Sequence, residues 1–183
     1  KCGARPNEST GPANSFCSND LINDRILVAR RTAFSLLGAG FHGSGGLNNP
    51  TMKKILEVYI LPRLLYALES LIITQKQKES LDAFLRDLLK RLQTLPQRTA
   101  NEAPYLLFGL LPAEALLDIR TLIFFGKIMG DDSSILHQVC LRQLATKSLS
   151  SNSWFIAIVK LCYKYDLPSP HFIMQSRVLS RNL

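Results

Sequence analysis

Asp131 and Asp132 form the most suggestive pair of groups in this sequence, because two adjacent carboxylates on a turn can hold Mg²⁺ when a hairpin presents them and a third carboxylate joins from another strand. The flanks argue against that use. The apolar spacing of Leu122 to Met129 is helical, and Ser133, Ser134 and another helical stripe follow. Asp131 or Asp132 is therefore expected to cap a helix N-terminus, where the dipole favours negative charge. Gly38-Ala39-Gly40-Phe41-His42-Gly43 fits the spacing GxGxxG. A dinucleotide site needs a strand before that motif and a helix directly after it. Here a helical pattern precedes and more loop follows, so the glycines read as a helix–helix connection.

The thiols and imidazoles are scattered. Cys2, Cys17, Cys140 and Cys162 make no CxxC pair, and His42, His137 and His171 lie equally far apart. Reduced thiols are expected, two of them on apolar helix faces, in an intracellular setting, nuclear or cytoplasmic. Asn7-Glu8-Ser9 matches a glycosylation sequon, a pattern short enough to arise by chance. The basic residues carry more information. Arg25, Arg30, Arg31, Lys53, Lys54 and Arg63 come early, and Arg86, Lys90, Arg91 and Arg98 follow. Guanidinium and ammonium groups on one surface suffice for phosphate contact, so the first six are the candidate nucleic-acid-binding residues. Trp154 and Phe155 share a stripe with Ile158, Leu161 and Cys162 and read as core, not as a stacking platform.

These residues must be carried by helices. Ile22, Ile26, Ala29, Ala33, Leu36 and Leu37 recur at helical spacing and stop at Gly38 and Gly40. Asn49 and Pro50 open a second helix whose apolar face runs through Met52, Ile55, Leu56, Tyr59, Ile60, Leu64, Leu65, Leu68 and Leu71, with a kink at Pro62. Thr74 and Gln77 form a capping box for a third helix striped by Leu81, Phe84, Leu85, Leu88 and Leu92. Thr99 and Glu102 form another for a short helix closed by Gly109. Pro112 starts a longer helix closed by Gly130, and further helices are expected at about 133–147, at about 153–165 and after Pro170. No stretch alternates at period two.

The bulk properties agree. The 183 residues are 46% apolar, too many for a disordered chain, and carry a net charge of +8. The charge suggests an anionic partner, nucleic acid first and a membrane surface second. The longest apolar run, Ile55 to Ile73, is broken by Glu57, Pro62, Arg63 and Glu69, so no membrane span is expected.

The run DRILVARRTAFSLLGAGFHGSGGLN, then YILPRLLYALESL, then LKRLQTLPQRTANEAPYLLFGLLPAEALLDIR resembles the region just after the polymerase palm in non-LTR retrotransposon reverse transcriptases. The later SWF and KYDLPSP fit the downstream helices of some members, so the resemblance covers about residues 20–170. It implies a thumb and a helical connector that pack against RNA template and RNA–DNA hybrid. The chemistry and its Mg²⁺ would belong to an upstream palm bearing an Ala-Asp-Asp motif, and the chain itself would hold no cofactor. The partners would be template, hybrid, and the palm and fingers of a longer parent. The expected architecture is all-α: a loop or linker over 1–19, a thumb-like bundle over 20–97 and a helical connector over 98–183. A helical protein–protein interaction module with incidental charge is the rival, and an enzyme using Asp131 and Asp132 is a third possibility.

Overall fold

The computed structural model describes residues 13–42 and 46–172. Cys2, the Asn7 sequon, the side chain of Cys17, Gly43 and most of any helix after Pro170 lie outside that range. The fold is all-α, with eight α-helices and no strand among the described residues. They are α1 (Ala13–Gly38), α2 (Asn49–Ile55), α3 (Leu61–Leu64), α4 (Gln75–Leu92), α5 (Ala103–Phe108), α6 (Ala113–Gly130), α7 (Ile135–Thr146) and α8 (Trp154–Lys164). Helix α1 already begins at Ala13, so the end of the expected linker is helical.

Glycines and caps place most helix ends. Gly40, at φ +90°, lets the Phe41 amide reach back to the Leu36 carbonyl and stops α1. Gly109, at φ +61°, ends α5 in the same way, with the Leu110 amide donating to Tyr105. The capping box of Thr74 and Gln77 is present at α4. Three expected caps are displaced. Asn48, not Asn49, caps α2: its Oδ1 accepts the Thr51 amide at 3.0 Å, and Pro50 sits within the first turn. Glu102 precedes α5 without a side-chain cap, so the box of Thr99 and Glu102 does not form. Ser134 caps α7, while Asp131 instead accepts the Ser133 amide and hydroxyl in the turn before it. That hydroxyl bond, first among its causes, holds the Asp131 carboxyl below the usual range.

Pro62 breaks the second helical pattern in a specific way. Residues Leu56–Ile60 form a π-helical turn, with the Leu61 amide donating to Leu56, between α2 and α3. One inserted residue rotates the following side chains by about 100°. Hence Met52 is buried before the bulge, Leu56 and Ile60 at its two ends, and Leu61, Leu64, Leu65 and Leu68 after it, while Tyr59, expected inside, is exposed.

Two buried clusters result. The first joins α1 to α5 and the start of α6, from Ile22 to Leu117. The second joins the end of α6 to α7 and α8, from Phe125 to Cys162. Leu85 and Leu88, mid-stripe on α4, are buried as their spacing predicts. The core boundary falls within α6, not at residue 98. Tyr105, Phe108 and Ala113 pack in the first cluster because α5 folds back along α4. Lys90, only 8% exposed, secures that reversal by donating to the carbonyls of Gln97 (3.0 Å) and Thr99 (2.7 Å). Trp154 ties the clusters together. Its ring meets Phe124 and Phe155 edge-on, and its Nε1 donates to the Glu69 carbonyl at 2.9 Å. Cys140 and Cys162 are buried thiols in the second cluster, and burial pushes Cys140 up to about 11.

Candidate nucleic-acid interface

The six candidate cations divide by what they touch. Lys53 Nζ donates to the Gly109 carbonyl at 2.6 Å and thereby holds α2 against the end of α5. Arg63 Nη1 donates to the Tyr59 carbonyl at 2.6 Å, next to the π turn. Arg25 lies over the Tyr66 ring at 5.2 Å and 3.5 Å from the Asp24 carboxylate. These three have structural employment. Arg30 and Arg31 on α1 and Lys54 on α2 are exposed and have no carboxylate within ion-pair distance among the described residues. The six therefore do not converge on one point: Arg25 faces the segment after α3, Arg30 faces α4 and Lys53 faces α5.

Helix α1 nevertheless presents a coherent outer face. Leu27, Arg30, Arg31 and Phe34 lie within one stripe, since positions separated by three, four and seven residues share a side of a helix. Leu27 and Phe34 are 43% and 50% exposed. The Arg30 guanidinium lies over the Phe84 ring of α4 at 5.7 Å, and Arg91 of α4 lies over Phe34 at the same distance. Such stacking orients a guanidinium without neutralising it. Arg91 and Phe34 were not among the expected site residues. Helical spacing placed Phe34 beside Arg30 and Arg31, but the cross-helix pairing is a tertiary contact with no local signature.

A second charged assembly has the opposite character. Asp118 of α6, 3% exposed, accepts from Lys78 of α4 at 3.2 Å, from Lys164 of α8 at 2.8 Å and from the Tyr165 hydroxyl at 2.9 Å. Glu114, one turn earlier, accepts from Lys164 at 2.7 Å and from Lys78 at 3.3 Å. The Lys164 bond, first among its causes, holds the Glu114 carboxyl below the ordinary range. Burial alone would push the Lys164 ammonium down, but its bonds to Asp118 and Glu114 outweigh that and raise it. Two cations and two anions cancel here, so the group fastens α8 to α4 and α6 and offers no net charge to a ligand.

Asp82 is a third junction. It accepts from the Tyr105 hydroxyl (2.7 Å), from the Ala113 amide at the start of α6 (3.0 Å) and from Arg86 (3.1 Å). It so caps α6 from a neighbouring helix and leaves Arg86 partly neutralised.

No strand surrounds Asp131 and Asp132, and no group of three or more metal-ligating side chains occurs among the described residues. Likewise no helix there is long and apolar enough to cross a membrane. Comparison with protein-family models, with curated proteins and with solved structures returns no match to this chain.

Proposed function

We propose that this chain is the thumb and connector of a non-LTR retrotransposon reverse transcriptase, gripping template–primer through unpaired basic groups. The observation that carries the proposal is the outer face of α1, where Arg30 and Arg31 stand without acidic partners beside the exposed Phe34 and Leu27. Three features support it further: the ordered sequence blocks between residues 24 and 120, the all-helical build and the net charge of +8. In this reading Arg31 and Lys54 contact phosphate, and an A-like hybrid is recognised by shape, with little sequence preference. The polymerase chemistry and its Mg²⁺ reside in the palm of the parent chain, in the nucleus or cytoplasm.

Affinity for an RNA–DNA hybrid duplex, measured by fluorescence anisotropy over a salt series, tests the proposal. Binding should weaken steeply with salt, each phosphate contact adding about 0.7–0.9 to the slope of log K against log salt. A slope near zero would contradict it.

A helical protein-interaction module is the second reading, and one observation favours it. Leu106 and Ile135 are 79% and 77% exposed, and Leu107, Leu111, Ile123 and Leu136 also stand in solvent. Salt-insensitive, sequence-independent failure to retain hybrid would move the assignment to that reading.

A further inference from the structure

The seam between α1 and α4 holds a small groove with two kinds of lining. Its base is the buried pair Ala33 and Leu88, its walls are the rings of Phe34 and Phe84, and its rims carry Arg30, Arg91 and the Asp87 carboxylate that pairs with Arg91. The groove measures about 220 Å³. That lies below the roughly 300–1,000 Å³ of ordinary small-molecule pockets, so it suits one planar group and excludes a helix or a duplex. An apolar base with aromatic walls favours a flat, weakly polar ring. The rims favour an attached anion: Arg30 has no carboxylate partner among the described residues, and Arg91 shares its charge with Asp87 alone, at 3.0 Å. Arg31 stands one residue further along α1 and adds another cation outside the groove.

We infer that this groove takes one nucleotide of an unpaired nucleic-acid strand, with the base against Phe34 and the neighbouring phosphates at Arg30 and Arg31. The inference rests on the nucleic-acid reading above and adds to its grip on the hybrid a site for an unpaired strand. An unpaired strand is required because bases inside a duplex present only their edges, whereas a splayed base has a free face to stack. Every base has such a face, so the groove selects single-strandedness and not sequence.

The test uses the full chain and two labelled strands of about 12 nucleotides, within the span that single-strand grooves cover: oligodeoxythymidine and an abasic strand of equal length. The two carry the same phosphates and differ only in the bases. The thymidine strand should bind about 5- to 150-fold more tightly, the range that one stacked base supplies. Phe34→Ala should remove most of that preference and leave the abasic affinity and the salt slope unchanged. Phe34→Trp should restore the preference. Phe34 is half exposed, so neither change should disturb the helical circular dichroism. Equal affinity for the two strands, or a preference that survives Phe34→Ala, overturns the base-stacking inference. Salt-dependent hybrid binding would still stand in that event, so the two claims fail separately.

Discussion

Helix α4 carries charge on two faces that are put to different use. On one, Lys78 meets Glu114 and Asp118 of α6, with Lys164 of α8 closing a four-charge group. On the other, Arg91 and the incoming Arg30 of α1 rest on phenyl rings. The physical difference lies in solvation. A carboxylate as buried as Asp118 is tolerable only with several donors, and removing any of them leaves charge without compensation. A guanidinium over an exposed ring keeps its water and its charge, at little cost and with little gain in stability. Residue type alone does not separate the two kinds of cation. What surrounds each one does: the buried carboxylates bind their lysines into the fold, while Arg30 over its ring keeps its charge for solvent.

The sharpest way to break this contrast is Asp118→Ala, which leaves Lys78 and Lys164 with Glu114 as their one remaining carboxylate. It should lower stability by about 1.5–3 kcal/mol in urea unfolding, the range for losing hydrogen bonds to a charged group, because Glu114 still pairs both lysines and Lys164 is partly exposed. A loss under 1 kcal/mol would show that the group is idle. Trp154→Phe keeps the edge-on ring contacts but removes the donor to the Glu69 carbonyl. It should cost about 1–2 kcal/mol, the price of an unmet buried acceptor, and loosen the tie between the two cores. The pH profile should separate the faces as well. Because Glu114 titrates below its ordinary range when folded, its contribution is present at neutral pH and lost as pH falls through the folded value. Because Lys164 titrates above its ordinary range, its contribution is present below that range and lost as pH rises through the raised value. Thermal midpoints across pH should therefore fall at both extremes for the wild type. Lys164→Met should flatten the alkaline fall, and Arg31→Ala should leave the whole profile unchanged.

The fold was largely legible in the sequence because helix signals are local. The stripe of Leu81, Leu85 and Leu88, the capping box at Thr74 and the stop at Gly109 all appear in the structure. What escaped were effects with partners far along the chain. The core boundary moved into α6 because Lys90 and Asp82 draw α5 and the start of α6 back onto α4, and neither residue announces those bonds. The π turn at Leu56–Ile60 turned Tyr59 outward, since Pro62 signals a break but not how the helix accommodates it. At the candidate site, Arg31 and Lys54 were legible as exposed cations. The structural roles of Lys53 and Arg63 depend on the carbonyls of Gly109 and Tyr59, which only the folded chain brings within reach. Ser134 took over the capping expected of Asp131 or Asp132 because it, and neither aspartate, stands directly before the first residue of α7.

In the proposed reading, Arg30 and Arg31 of α1 serve a ligand, and the α4–α6–α8 charges serve the fold. Measuring hybrid affinity over a salt series and urea stability on the same two proteins, Arg31→Ala and Lys164→Met, tests it most directly. Arg31→Ala should show a salt slope smaller by about 0.7–0.9 and stability within about 0.5 kcal/mol of wild type. Lys164→Met should leave the slope unchanged and lower stability measurably. An unchanged slope in Arg31→Ala, or the same loss of slope in both variants, would contradict it.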